Sequence, residues 1–159
     1  MSPSIIVLTE QMLDLDDAGR IVELHADDSP AYHILVPADT QGSLLAEVVD
    51  DLSMLEWRHA FDALRHHRDP KRPSPEQTLK SSLMAMRTTN VTVDGEVATE
   101  DPVAALEAAV QKYAADEVIV VTRPHAVEDT FHTDWASRAR EHLGVPVLHI
   151  YAGSGWVGD

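Results

Sequence analysis

The chain has 159 residues, no cysteine and a formal net charge of −15. That length suits one domain with a real core, and the missing thiol excludes disulfides, thiolate nucleophiles and cysteine-type zinc sites. The acid excess argues against nonspecific nucleic-acid binding and against an anionic membrane surface.

No apolar run approaches the ~20 residues that span a bilayer, and no basic region precedes an apolar segment at the N-terminus. A cytoplasmic protein with no membrane or nucleic-acid partner is the expectation. The nine arginines and three lysines say little about function.

Ser4-Ile5-Ile6-Val7-Leu8-Thr9 is a short apolar run after Pro3 and reads as a first strand buried on both faces. From Met12 to Asp28 two readings compete. Asp16-Asp17-Ala18-Gly19 suits a hairpin turn, but a helix places Leu15, Ala18, Ile21, Val22 and His25 on one face. Asp14 is then its cap, and Asp16 and Asp17 suit the positive end of the dipole; the helix is the reading adopted. Tyr32-His33-Ile34-Leu35-Val36 is the second strand, closed by Pro37.

The spacing of Leu44, Leu45, Val48, Val49, Leu52, Leu55, Ala60, Phe61 and Leu64 is helical, with a break near Ser53. This helical insertion, about residues 43–73, exceeds what one crossover needs; a lid or a dimer contact would use its surplus apolar face. A Pro-rich, locally basic connector from His66 to Pro75 follows. Ser74 caps the next helix, with Pro75 at its first position and Gln77 completing a capping box; Leu79, Leu83, Met84 and Met86 are its apolar residues.

Residues 90–97 alternate at period two, as a half-buried or edge strand does. Asp101-Pro102 opens a helix with Val103, Leu106, Ala109, Val110 and Tyr113 on one face. Glu117-Val118-Ile119-Val120-Val121-Thr122 then reads as the central buried strand, stopped after Arg123 by Pro124. A last helix over 133–143, with Trp135, Ala136, Ala139 and Leu143 inward, ends at Gly144. Residues 145–151 form the final strand. The tail 153–159 is expected to be flexible, with Trp156 as an anchor. Strands alternating with helices in this order predict one α/β domain over 1–152, a doubly wound five-stranded parallel sheet.

Several motifs carry a resemblance. They are Val91-x-Val93-x-Gly95-x-Val97, Asp101-Pro102-Val103 with its helix, Ala115-Asp116-Glu117-Val118-Ile119-Val120-Val121, and Gly144-Val145-Pro146-Val147-Leu148-His149-Ile150. Together they resemble the second half of the universal stress protein family, and the whole chain looks like a divergent actinobacterial branch of it. The resemblance covers roughly 60 residues by motif and the first 90 by order of elements. It implies strand order 3-2-1-4-5, a dimer in many members, and ATP or AMP as ligand in some.

The glycine loop of ATP-binding members, Gly-x2-Gly-x9-Gly-Ser, cradles phosphate with backbone amides. Here residues 123–132 hold no glycine, and Glu128 and Asp129 oppose a triphosphate. The family's first strand ends in Asp, where this chain has Thr9-Glu10. Ile34 to Ser43 resembles that first-strand motif but falls on the second strand by element count.

Ligands of open parallel sheets bind beyond the carboxyl ends of the strands. The candidate ligand-binding residues are therefore Thr9 and Glu10, Asp39 and Thr40, and Thr122, Arg123 and His125. Arg123 suits an anionic group, or an ion pair with Glu128 or Asp129. Thr40 suits a hydroxyl contact, or a helix cap. His125, Glu128, Asp129 and His132 are a candidate metal set for zinc, manganese or iron, or a solvated acidic loop. The preferred function is a non-catalytic, small-ligand or nucleotide-binding regulatory protein that acts as a homodimer. The alternatives are a metal-dependent hydrolase using the acidic His-containing loop with Glu10 and Asp39, and a dimeric interaction module built on the insertion.

Overall fold

The computed structural model describes residues 2–9, 11–38, 73–98, 102–122, 140–153 and 157–158. Its elements are β1 (Ser4–Thr9), α1 (Leu15–Glu23), β2 (Ala31–Pro37), α2 (Pro75–Arg87), β3 (Thr92–Ala98), α3 (Pro102–Lys112), β4 (Glu117–Thr122), β5 (Val147–Tyr151) and β6 (Val157–Gly158). The insertion expected at about 43–73 lies outside the described residues, as does most of the helix expected over 133–143. Residues 140–143 of that helix are helical, and the Gly144 N–H donates to the Arg140 carbonyl at 2.8 Å. Gly144 takes φ of 73°, the left-handed conformation that closes a helix.

The sheet order is β3-β2-β1-β4-β5-β6. The first five strands are mutually parallel, so the expected five-stranded sheet of order 3-2-1-4-5 is what forms. The two continuous apolar runs, β1 and β4, lie side by side at its centre, with Val7 opposite Ile119. The tail, for which flexibility is expected, adds a sixth strand: β6 pairs antiparallel with β5.

Successive residues of a strand face opposite sides, and this alternation separates two cores. Ile6, Leu8, Val118 and Val120 pack with Leu106 and Ala109 of α3 on one face. Ile5, Val7, Ile119 and Val121 pack with Ala18 and Ile21 of α1 and with Ala85 and Met86 of α2 on the other. Burying such aliphatic side chains fully contributes about 1.5–3 kcal/mol each, which is why strands this short hold the domain's centre.

Both expected caps are present. The Asp14 carboxylate accepts from the Asp17 N–H at 2.7 Å and the Asp17 carboxylate accepts from the Asp14 N–H at 3.2 Å. Ser74 and Gln77 make the equivalent pair on α2, at 3.2 and 3.1 Å. Residues 15–23 are thus a helix, and no hairpin forms there.

Two apolar residues expected inward are not. Leu15 is 63 % exposed and Met84 is 59 % exposed. The buried stripe of α1 centres on Asp17, Ala18 and Ile21, which leaves Leu15 about a third of a turn away. The buried stripe of α2 is Thr78, Ser82, Ala85 and Met86, with Met84 on the opposite side. The Leu13 N–H donates to the Ser82 hydroxyl at 3.0 Å in the interior, so a polar residue joins α2 to the segment leading into α1.

Gly95 permits the closest approach of α2 to the sheet. A Cβ there would stand 2.7 Å from the Ile34 carbonyl oxygen and 2.7 Å from Leu79 Cδ1. Among the described residues no helix is long and apolar enough to cross a membrane.

Candidate ligand rim at the carboxyl ends of the strands

The chain leaves β1 toward β2 and β3 on one side and returns to β4 and β5 on the other. The boundary between β1 and β4 is thus the point where the direction of winding reverses, and a doubly wound sheet opens a crevice there, beyond the strand ends. Thr9 closes β1 opposite Val121, and Thr122 closes β4 opposite Tyr151. The structure therefore brings the ends carrying Thr9 and Thr122 to adjacent positions on one rim.

Thr9 is fully buried. Its hydroxyl donates to the Gln11 carbonyl at 2.8 Å and accepts from the Gln11 N–H at 3.0 Å. Its proton is committed to the turn leaving β1, so the side chain shapes the rim and retains only acceptor capacity. Of the other residues expected at the site, Glu10, Asp39, Thr40, Arg123 and His125 lie outside the described residues. So do Glu128, Asp129 and His132 of the candidate metal set. Among the described residues no group of three or more His, Asp or Glu side chains stands where it would share a metal ion.

One residue at the rim was not picked out by sequence reasoning. Asp17, in the first turn of α1, has a side chain only 3 % exposed. Its Oδ1 accepts from the Gly153 N–H at 2.8 Å and pairs with Arg20, and its Oδ2 accepts from the Asp14 N–H. Gly153 has φ of 73° and lies just past the end of β5. A buried carboxylate is tolerable when its lone pairs are filled in this way. The result ties the exit of β5 to the start of α1, across the crevice from β4. Asp17 followed by Arg20 is visible in the sequence, but Gly153 is 136 residues away, and nothing local announces it.

A second titratable cluster occupies the opposite, amino-terminal end of the sheet. His25 Nε2 lies 2.9 Å from Glu117 Oε2, and His25 Nδ1 lies 3.3 Å from the Ile21 carbonyl. The Tyr32 ring stands edge-on to His25, 6.5 Å between centroids. Tyr32 is fully buried, and its hydroxyl has no partner among the described residues. Burial, with the Glu117 charge adding to it, pushes its pKa up to about 12.

A third cluster lines a shallow cavity of about 180 Å³ between β2, β3 and α3. There His33 stacks on Tyr113 at 3.7 Å between centroids and pairs with Asp94. The exposed Lys112 ammonium sits 5.0 Å from the centroid of the same Tyr113 ring. Its pKa is raised first by a hydrogen bond with Tyr113 and then by the Glu96 charge. These groups satisfy one another, and the strand ends do not meet there.

No family model and no curated protein matches this sequence. Solved structures do match. The universal stress protein from Archaeoglobus fulgidus superposes with a TM-score of 0.53 at 11 % identity, over 93 % of this chain and 93 % of that one. A structure of the Archaeoglobus fulgidus universal stress protein in complex with dAMP gives 0.49 at 10 % identity, over 94 % and 98 %. A universal stress protein family protein from Arabidopsis thaliana with AMP bound gives 0.48 at 12 % identity, over 96 % and 93 %. At such identities a likeness speaks to fold alone, and the first of the three carries it. With its strand order and two-sided packing, the chain has the universal-stress-protein fold.

Proposed function

We propose that this protein binds a small ligand, in the first place a nucleotide, at the carboxyl rim between β1 and β4, and that it acts by binding and regulation without catalysis. The single observation that carries this reading is the winding reversal between β1 and β4, with Thr9 and Thr122 closing adjacent strands on the same rim. In doubly wound sheets that position is where ligands bind.

Glu10, Asp39 and Thr40 are proposed as further lining groups, with Arg123 and His125 facing an anionic part of the ligand. With no glycine between 123 and 132, backbone amides of a glycine loop are not the phosphate ligand. A monophosphate therefore suits the rim better than a triphosphate, which Glu128 and Asp129 would repel. A cytoplasmic location and a homodimeric state belong to the same reading.

Thermal melting of the chain with AMP, ATP, Mg²⁺, Mn²⁺ or Zn²⁺, paired with an assay for ATP hydrolysis, tests it. A rise in Tm with AMP alone and no hydrolysis is expected. A rise with metal alone, or metal-dependent turnover, would replace this reading with that of a hydrolase built on His125, Glu128, Asp129 and His132. No rise with any of them would leave the rim without a ligand of this class.

A further inference from the structure

The two edges of the parallel sheet are built differently. On β3, Thr92, Asp94 and Glu96 are exposed, and charges on an edge strand discourage the addition of another strand. β5 reads Val147-Leu148-His149-Ile150-Tyr151 and has no carboxylate, lysine or proline. A short, uncharged, largely buried edge of that kind is a template for pairing with another chain. It is also the edge on which β6 lies, with Ile150 opposite Val157 and His149 opposite Gly158. The chain turns back onto β5 past Gly153, whose φ is 73° and whose N–H is held by Asp17.

We propose that β6 is a cover, supplied in cis, that closes the β5 edge to self-association. While residues 157–158 are docked, the outer ladder of β5 is occupied by its own chain. When they are displaced, the vacated edge accepts β5 of a second copy. Antiparallel pairing of two identical β5 strands about a twofold axis opposes no like charges, whereas two β3 edges would oppose the carboxylates of Asp94 and Glu96. A two-residue strand makes few ladder bonds, so the cover is readily displaced. This proposal is independent of the rim and its ligand; it bears on when the homodimer forms.

The test compares sedimentation velocity of three proteins over a range of concentrations. They are the full chain, the chain lacking residues 157–159, and an Ile150→Cys/Val157→Cys variant of the full chain. Opposed residues of an antiparallel pair have Cα atoms about 4.5–5.5 Å apart, within the span of a disulfide, and no native thiol competes. Removing 157–159 is expected to tighten self-association by about tenfold or more. The oxidised double variant is expected to close its disulfide within one chain and to associate less than its reduced form. Unchanged association after the removal, or a disulfide that forms between chains, would overturn the proposal. If the shortened chain shows no cooperative melting, the oxidised and reduced forms of the double variant decide alone: equal association in the two overturns it.

Discussion

The N–H of Gly153 donates to Asp17 Oδ1 at 2.8 Å, joining the loop after the last parallel strand to the first turn of the first helix. The same oxygen pairs with Arg20, so one carboxylate anchors a helix side chain and a distant backbone amide together. The contact fixes one wall of the crevice between β1 and β4.

Asp17→Ala is therefore expected to cost about 2–4 kcal/mol, because it leaves the Arg20 charge and the Gly153 N–H without their shared acceptor. Urea unfolding followed by far-UV circular dichroism reads the loss. A change under about 0.5 kcal/mol, the size seen for ordinary surface substitutions, would show that water replaces the carboxylate.

Gly95→Ala is expected to destabilise by about 1–3 kcal/mol, the usual cost of overpacking a closed site. The added methyl meets a backbone carbonyl at 2.7 Å as well as the tip of Leu79. The side chain can swing away, but the Ile34 carbonyl is held in the β2 strand. A second substitution, Leu79→Ala, is expected to recover only part of the loss, measured by a thermal-melting double-mutant cycle.

Tyr32 gives a pH signature. Its pKa is raised from 10.0 to about 12 in the fold, by burial first and by the Glu117 charge second. Below pH 10 the folded and unfolded states both keep the phenol proton. Between pH 10 and 12 only the unfolded state releases it, so stability falls as pH rises through that window. Tyr32→Phe removes this part of the decline. At neutral pH it is neutral or stabilising by up to about 1 kcal/mol, since the buried hydroxyl it deletes has no partner. Unfolding of both proteins at pH 8 and pH 11 checks the sign. A wild-type decline no steeper than that of the variant would show that water reaches the hydroxyl.

Ser74→Ala is expected to cost about 1 kcal/mol through loss of one cap bond of α2, and Asp14→Ala a similar amount on α1. Ser74→Asp should retain most of the stability. Thermal melting of the three variants distinguishes loss of a cap from general disruption.

The sheet was legible because four-residue apolar runs such as Ile5–Leu8 and Val118–Val121 leave few alternatives to a strand buried on both faces. Caps were legible because Asp14 and Ser74 act within three residues of themselves. Helix faces were less so. Thr78 and Ser82 are buried on α2, and a pattern that scores only apolar residues assigns the inward side to Met84 instead. The Asp17–Gly153 contact was illegible because it joins a first-turn acid, which looks like a dipole partner, to an amide that carries no side-chain signature. The rim was legible as a location from topology alone. Thr9 illustrates what was not: its hydroxyl is engaged by Gln11, and only coordinates reveal that.

The strict alternation of β1 carries an evolutionary consequence. Ile5 and Val7 belong to one core while Ile6 and Leu8 belong to the other, so inserting or deleting a single amino acid within this strand would exchange the two sets at once. Conservative replacements, by contrast, disturb one side only. Descendants of this chain are therefore free to vary the identity of these aliphatic residues but not their number, and length variation is confined to the connections.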